Sequence, residues 1–208
     1  MPRAWDEREK DLVRLKLREE GRKQFEKYGL RKTTVDDIVR SAGISKGAFY
    51  LFHASKEEFY FDILESMERD IRARIFACLE ATAFPGKEVF REFLMKVTEV
   101  FKTTPMLGGL NGDDYQYLLR KLPDETLKKH IRNDFSEISR IFNPWMEKGW
   151  MRKVDGNALS GLFALYIVAL MNRDESTGLW NVETENLWID MMTEYLIPGK
   201  KKGGRPHG

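Results

Sequence analysis

Apolar residues recur at three- and four-residue spacing through almost the whole chain, and no stretch sustains the alternation typical of a β-strand. This spacing places apolar side chains on one face of a helix and therefore predicts an all-α protein. Proline, glycine and capping residues divide the pattern into about nine helices. We expect them at about residues 6–28, 34–41, 45–52, 56–82, 87–103, 110–121, 124–149, 155–173 and 184–197.

Two of the predicted helices are unusual. Pro144 lies inside the helix expected at 124–149, where it should kink or interrupt the helix because it lacks an N–H group. The helix at 155–173 is apolar almost all round, so it must be buried on several sides. It can be a central helix of one chain or part of an interface between two chains.

Residues 33–56 predict two short helices joined by a tight turn at residues 42–44. That is the arrangement of a helix-turn-helix, which places its second helix in the major groove of DNA. Thr33 or Thr34 can cap the first helix, with an aspartate three residues beyond either of them. Gly43 suits the left-handed conformation that ends a helix. Ser45 can cap the second helix, whose inner face would carry Ala48, Phe49 and Phe52.

The outer face of the second helix carries Lys46, Gly47 and Tyr50. Glycine inside a helix costs about 1 kcal/mol relative to alanine, although less near the helix start. The missing side chain would let the backbone approach a phosphate closely. These three residues therefore point to a DNA-binding face.

The same stretch resembles the N-terminal domain of the TetR family of bacterial transcriptional regulators. The resemblance rests on Thr33-Thr34, on residues 42–47 (AGISKG), on Tyr50 and on Lys56-Glu57-Glu58. One departure is residues 52–54 (FHA), where many relatives carry His-Tyr-Phe. The resemblance covers about residues 10–70. It implies a three-helix DNA-binding domain at 10–70 and a larger helical bundle for effector binding and dimerisation at 71–198.

The resemblance also implies a function and a set of contacts. The protein would be a ligand-responsive regulator, most often a repressor, that binds a near-palindromic operator as a homodimer through the helices at 155–173 and 184–197. Lysines would contact phosphates, hydroxyl and imidazole groups would donate hydrogen bonds, and Tyr50 could touch a thymine methyl group. The predicted DNA contacts are Thr33, Thr34, Ser45, Lys46, Gly47, Tyr50, His53 and Lys56.

Composition and charge fit this interpretation. The net charge is only +2, but residues 13–56 carry eleven basic and five acidic residues, a net of +6 on the predicted head. A solvated helix face at 14–27 would account for part of that excess equally well. The basic, glycine-rich tail at 199–208 is expected to be disordered, and solubilising more than DNA-binding.

The sequence also argues against several other classes of protein. Cys78 is the only cysteine, so no disulfide framework is possible within one chain. No apolar run approaches the ~18 residues of a membrane helix, and the N-terminus lacks the apolar core of a signal peptide, so we expect a cytoplasmic protein. We find no phosphate-binding loop, nucleophile elbow or metal-ligand spacing, and we expect no enzyme activity, cofactor or metal.

The family resemblance implies an effector pocket in the C-terminal part. Such pockets are mostly apolar, and methionine and aromatic side chains suit an adaptable site for a largely apolar ligand. The alternative is that these residues form an ordinary core. Non-specific DNA binding without an effector and activation in place of repression also remain open. The candidates are Phe101, Met106, Tyr115, Tyr117, Phe142, Trp145, Met146, Phe163 and Tyr166.

Overall fold

The computed structural model describes residues 6–80, 86–108, 112–171, 173 and 180–199, although a few side chains within these ranges are not described. This part of the chain is all helical and contains no strand, which confirms the predicted fold class. Its helices are α1 (Glu7–Lys32), α2 (Val35–Ala42), α3 (Lys46–Tyr50), α4 (Lys56–Glu80), α5 (Lys87–Thr103), α6 (Pro105–Gly108), α7 (Gly112–Lys121), α8 (Asp124–Glu147), α9 (Gly156–Met171) and α10 (Val182–Leu196).

The chain forms two compact units. The first comprises the residues up to Asp70 together with 104–123, and the second comprises 71–103 together with the residues from Asp124 onward. The sequence assigned 104–123 to the C-terminal domain. The structure instead places this segment in the first unit, because Met106 and Leu118 are buried there and Tyr60 donates a hydrogen bond to the Met106 carbonyl, 3.4 Å away.

The first unit is built on α1 and α4, which pack closely at Gly21. A Cβ atom added to Gly21 would lie 2.3 Å from the Phe59 ring, so only glycine allows this approach. Phe25, Phe49 and Tyr60 complete the surrounding aromatic core, with Phe49 and Phe59 in edge-to-face contact at 5.3 Å between ring centroids. At Gly29, φ is +78°, which kinks α1 where the sequence expected it to end.

The second unit has an aromatic core. Phe142 stacks on Phe163 at 5.4 Å, and Phe90 and Phe93 meet Phe142 edge to face, each at 5.9 Å. The prediction that Pro144 would kink or interrupt its helix is wrong as regards interruption, because α8 continues through Pro144 to Glu147. Pro144 lacks the N–H that would donate to the carbonyl four residues earlier, so α8 loses one backbone hydrogen bond there.

Basic side chains of α5 face acidic side chains of α10 along one edge of this unit. Arg91 Nε donates to Asp190 Oδ1 at 2.8 Å, and Lys102 Nζ lies 2.9 Å from a Glu185 carboxylate oxygen. Lys87 and Glu194 form a third pair farther along. These pairs fix which face of α10 lies against α5. Within the described residues, no helix is both long and apolar enough to cross a membrane.

Candidate nucleic-acid interface

The first helix of the motif begins at a capping box. The Asp37 N–H donates to Thr34 Oγ1 at 3.2 Å, and the Asp37 carboxylate accepts from the Thr34 hydroxyl at 2.6 Å and from its backbone N–H at 3.2 Å. These hydrogen bonds lower the pKa of Asp37. Of the two threonines that could cap the helix, it is therefore Thr34 that does so.

The turn and the second cap form as the sequence predicted. Gly43 has φ +65° and ψ +37°, the left-handed conformation in which glycine carries no steric penalty. Ser45 Oγ then accepts a hydrogen bond from the Ala48 N–H at 3.1 Å and starts α3. Both predictions are confirmed, and together they fix the direction in which α3 leaves the turn.

Helix α3 has one buried and one exposed face. Ala48 and Phe49 lie in the core of the first unit, whereas Lys46, Gly47 and Tyr50 are exposed. The Tyr50 ring rests edge-on against Phe49, with ring centroids 5.4 Å apart, and half of its surface remains open to solvent. This contact orients the phenol outward. The buried Phe49 therefore fixes the orientation of the exposed Tyr50.

Gly47 has no role inside the chain that requires glycine. A Cβ atom added there would meet only Ser45 Oγ, at 3.9 Å, and the backbone φ is ordinary for a helix. Glycine at this position lowers helix propensity without a compensating internal contact. Packing within the chain therefore does not require glycine at this position.

Lys46 already has an anionic partner. Its ammonium group lies 3.0 Å from Asp36 Oδ2 at the start of α2, and this hydrogen bond raises the pKa of Lys46. Both side chains are exposed, so the pair is weak and can exchange for a phosphate.

Three of the predicted DNA contacts make contacts within the first unit. Thr33 is almost completely buried, and its hydroxyl donates to the Gly29 carbonyl at 2.8 Å, so it cannot reach DNA. The Lys56 ammonium donates to the Leu30 and Thr33 carbonyls at 2.8 and 2.9 Å and ties the end of α1 to the start of α4. This use of its amine leaves it poorly placed for phosphate.

His53 is the third. Its ring packs 4.6 Å from that of Phe59, and burial lowers the pKa of the imidazole. At neutral pH the ring is therefore more often uncharged than a free histidine, which weakens its attraction to phosphate. The other five predicted contacts are all exposed and form the candidate interface: Thr34, Ser45, Lys46, Gly47 and Tyr50.

Two basic residues of α1 lie beside the motif and were not singled out in the sequence. The Arg14 guanidinium lies 5.0 Å from the centre of the partly buried Phe52 ring. Lys16 Nζ is 3.5 Å from the position of a Cβ atom on Gly43. The basic excess at 13–56 signalled their presence, but only folding brings α1 against the turn.

The predicted pocket residues fall into different parts of the molecule. Met106 is buried in the first unit, Tyr117 hydrogen-bonds Glu57 there, and the side chain of Tyr115 lies outside the described residues. The other six belong to the second unit, where they pack against one another in one core: Phe101, Phe142, Trp145, Met146, Phe163 and Tyr166. Burial raises the pKa of Tyr166, whose hydroxyl hydrogen-bonds Thr98.

A small cavity of about 240 Å³ opens in the second unit. Leu79, Arg140, Ile141, Pro144 and Trp145 line it. Only Trp145 was among the predicted pocket residues. Within the described residues, no group of three or more His, Cys, Asp or Glu side chains could hold a metal ion.

Comparison with known proteins gives consistent matches. The sequence model of the bacterial regulatory proteins of the tetR family matches residues 17–63. The chain is 27% identical over 135 residues to the HTH-type transcriptional repressor DhaR of Mycobacterium sp. (strain GP1), covering 65% of this chain and 62% of DhaR. It is 32% identical over 141 residues to the uncharacterized HTH-type transcriptional regulator YfiR of Bacillus subtilis (strain 168), covering 67% and 66% of the two chains.

Solved structures share the fold. FadR from Bacillus subtilis, a transcriptional regulator crystallised in complex with stearoyl-CoA, superposes with a TM-score of 0.66 at 14% identity, over 86% of this chain and 97% of FadR. A match at this identity establishes similarity of fold. The match to DhaR covers 62% of the length of DhaR, which is less than two thirds.

Proposed function

Because this chain belongs to the TetR family of bacterial transcriptional regulators, we propose that it is a repressor that binds a near-palindromic operator as a dimer. A small molecule bound in its second unit would release it from DNA. The observation that carries the DNA-binding part is the division of α3, whose Phe49 is fully buried while Lys46, Gly47 and Tyr50 are exposed. Such a helix presents a fixed surface to the major groove.

Single substitutions on this face test the proposal. Lys46→Ala and Tyr50→Ala should each weaken operator binding at least about tenfold, since each removes a contact from a small interface. Both side chains are exposed, so folding should be unaffected. Electrophoretic mobility shifts with the DNA upstream of the protein's own gene, together with circular dichroism, measure the two properties. Full operator affinity in both variants would refute the assigned face.

Salt dependence separates specific from non-specific binding. Removal of one phosphate contact by Lys46→Ala should reduce the slope of log affinity against log salt by about one. Equal affinity of the unaltered protein for operator and random DNA at physiological salt would favour the alternative, a non-specific DNA-binding protein. A reporter gene placed behind the operator distinguishes repression from activation.

We propose that the dimer forms through α9 and α10. Leu165 and Val168 on α9 and Leu187, Met191 and Tyr195 on α10 are large apolar side chains that one chain leaves exposed. An apolar surface rarely remains open in a stable protein, and a second copy of the same surface is its simplest cover. This proposal favours an interface over a purely internal role for the apolar helix α9.

The effector proposal rests on the aromatic core of the second unit. Phe142, Phe163 and Trp145 lie in this core, and Trp145 also lines the cavity of about 240 Å³. A largely apolar ligand would replace contacts within this core without leaving polar groups unpaired. The fold neighbour FadR, which was crystallised with stearoyl-CoA, makes long-chain acyl compounds the first ligands to try.

Thermal melting with a series of fatty acids and acyl-CoA thioesters tests this class of ligand. A binder present at one hundred times its dissociation constant should stabilise the protein by ~2.7 kcal/mol, which shifts the melting temperature by several degrees. The same compound should release operator DNA in the mobility-shift assay. If no compound of the series changes either measurement, the acyl-chain proposal is wrong.

Release would be a shift between two conformations of the dimer. Ligand binding favours the conformation in which the two α3 helices no longer match successive major grooves, provided that the ligand has a higher affinity for that conformation. Helix α4 contributes residues 56–70 to the first unit and 71–80 to the second, so we propose that it transmits the change.

A further inference from the structure

The helix-turn-helix is a closed loop of chain whose two ends meet. It begins after Arg31 at the end of α1 and ends at Lys56, the first residue of α4. The Lys56 ammonium donates to the carbonyls of Leu30 and Thr33 at 2.8 and 2.9 Å and joins these ends directly. A helix that contacts this junction can therefore fix the orientation of the whole helix-turn-helix.

Helix α7 holds the junction from both sides. On the α1 side, Arg31 Nε lies 2.7 Å from Asp114 Oδ1, and the Arg31 guanidinium lies 5.4 Å from the centre of the Tyr117 ring. On the α4 side, the Tyr117 hydroxyl donates to Glu57 Oε1 at 2.7 Å. One short helix thus contacts the last turn of α1, just before the motif, and Glu57, just after it.

The segment that carries α7, residues 104–123, packs in the first unit but is joined in sequence to helices of the second unit. Met106, Leu107, Leu118 and Leu122 are buried, which fixes α6 and α7 within the first unit. In sequence, however, the segment 104–123 runs directly from α5 to α8, and both of these helices belong to the second unit. A change in α5 or α8 can therefore pull on α7 through the chain itself, independently of α4.

We propose that Asp114 and Tyr117 are positioning residues for DNA binding: from α7 they hold both ends of the helix-turn-helix in the arrangement that fits the operator. Neither residue belongs to the exposed face of α3, so neither would touch bases. This proposal rests on the proposed function, because it concerns how the DNA-binding motif is oriented. It also makes α7 a second route from the second unit to the DNA-binding motif: the chain joins α7 to α5 and α8, and side-chain contacts join α7 to the motif.

Substitutions on α7 test the proposal, with operator DNA first selected from random sequences by the unaltered protein. Tyr117→Phe removes only the hydroxyl that reaches Glu57, and Asp114→Asn keeps the size of the side chain but removes the charge that faces Arg31. The double variant should bind the operator at least about fivefold more weakly, the lower end of typical coupling between sites. Its affinity for random DNA of equal length should stay the same or rise.

The expected loss of operator affinity is opposite to the effect of the charge change alone. Loss of the Asp114 carboxylate makes the protein more positive, which by itself strengthens attraction to phosphates. A weaker operator complex can therefore not arise from net charge. Glu137→Gln is the matched control, since it removes an exposed carboxylate that lies 3.2 Å from Arg140 in the second unit. This control should bind the operator as the unaltered protein does.

A double-mutant cycle identifies the route. If Tyr117 acts through Glu57, Tyr117→Phe should have no further effect on operator affinity in a Glu57→Ala background. Unchanged operator affinity in the double α7 variant, or an equal loss on operator and random DNA, would overturn the positioning role. Failure of the unaltered protein to select any sequence would instead count against the proposed function.

Discussion

Two glycines of the first unit show how one residue type serves opposite purposes. Gly21 is required from inside, because an added Cβ atom would lie 2.3 Å from Phe59 Cε1 and 2.5 Å from its Cζ. Gly47 has open space around it, with its nearest neighbour at 3.9 Å. The sequence alone marks both as glycines within helices. Only packing shows that one serves the fold and the other faces outward.

Alanine substitutions should separate these roles. Gly21→Ala should destabilise the protein by about 1–3 kcal/mol, because α1 and α4 must move apart. Gly47→Ala should leave stability unchanged or raise it by up to ~1 kcal/mol, yet weaken operator binding, because a methyl group would obstruct the phosphate. Chemical denaturation and mobility shifts measure the two effects. Tight operator binding by Gly47→Ala would show that close backbone approach is not needed there.

At the scale of elements, α10 carries three different stripes. Ile189, Met192 and Leu196 are buried, an acidic edge formed by Glu185, Asp190 and Glu194 pairs with α5, and Leu187, Met191 and Tyr195 face solvent at four-residue intervals. The buried stripe and the ion pairs fix the rotation of the helix about its axis. The third stripe is therefore held on the exposed side of α10, where Arg152 lies over the Tyr195 ring.

Charged substitutions in the third stripe should prevent dimerisation. Leu187→Glu combined with Met191→Glu should shift the protein to monomer in sedimentation velocity, because two copies would bury four carboxylates without partners. Ile131→Glu on α8 is the matched control, since Ile131 is similarly exposed, at 52% against 62% for Leu187. A dimer that survives the double substitution would place the interface elsewhere.

Helix starts and turns were the elements most accurately predicted from sequence. The capping box of Thr34 and Asp37, the left-handed Gly43 and the Ser45 cap all depend on neighbours within three residues. The one-turn helix α6 was not predicted, because four residues are too few to show a helical period. Lys56 looked like a phosphate ligand, since nothing in the sequence shows that two carbonyls lie within its reach.

At the scale of the molecule, the two units do not follow the order of the chain. The sequence suggested one boundary near residue 70, and the first unit does include the chain up to Asp70. It also takes in 104–123, which separates Met106 and Tyr117 from the other predicted pocket residues. Apolar spacing shows that a segment will be buried but not which core will bury it.

The sequence by itself determined the helical fold class, the positions of most helices, the helix-turn-helix and the family, since each of these depends on local spacing, caps and motifs. The tertiary structure decided which residues face outward. It placed Thr33, His53 and Lys56 in supporting roles, collected six of the predicted pocket residues into one core, and brought α7 against both ends of the motif. These outcomes depend on contacts between residues far apart in the chain, and local periodicity carries no information about such contacts.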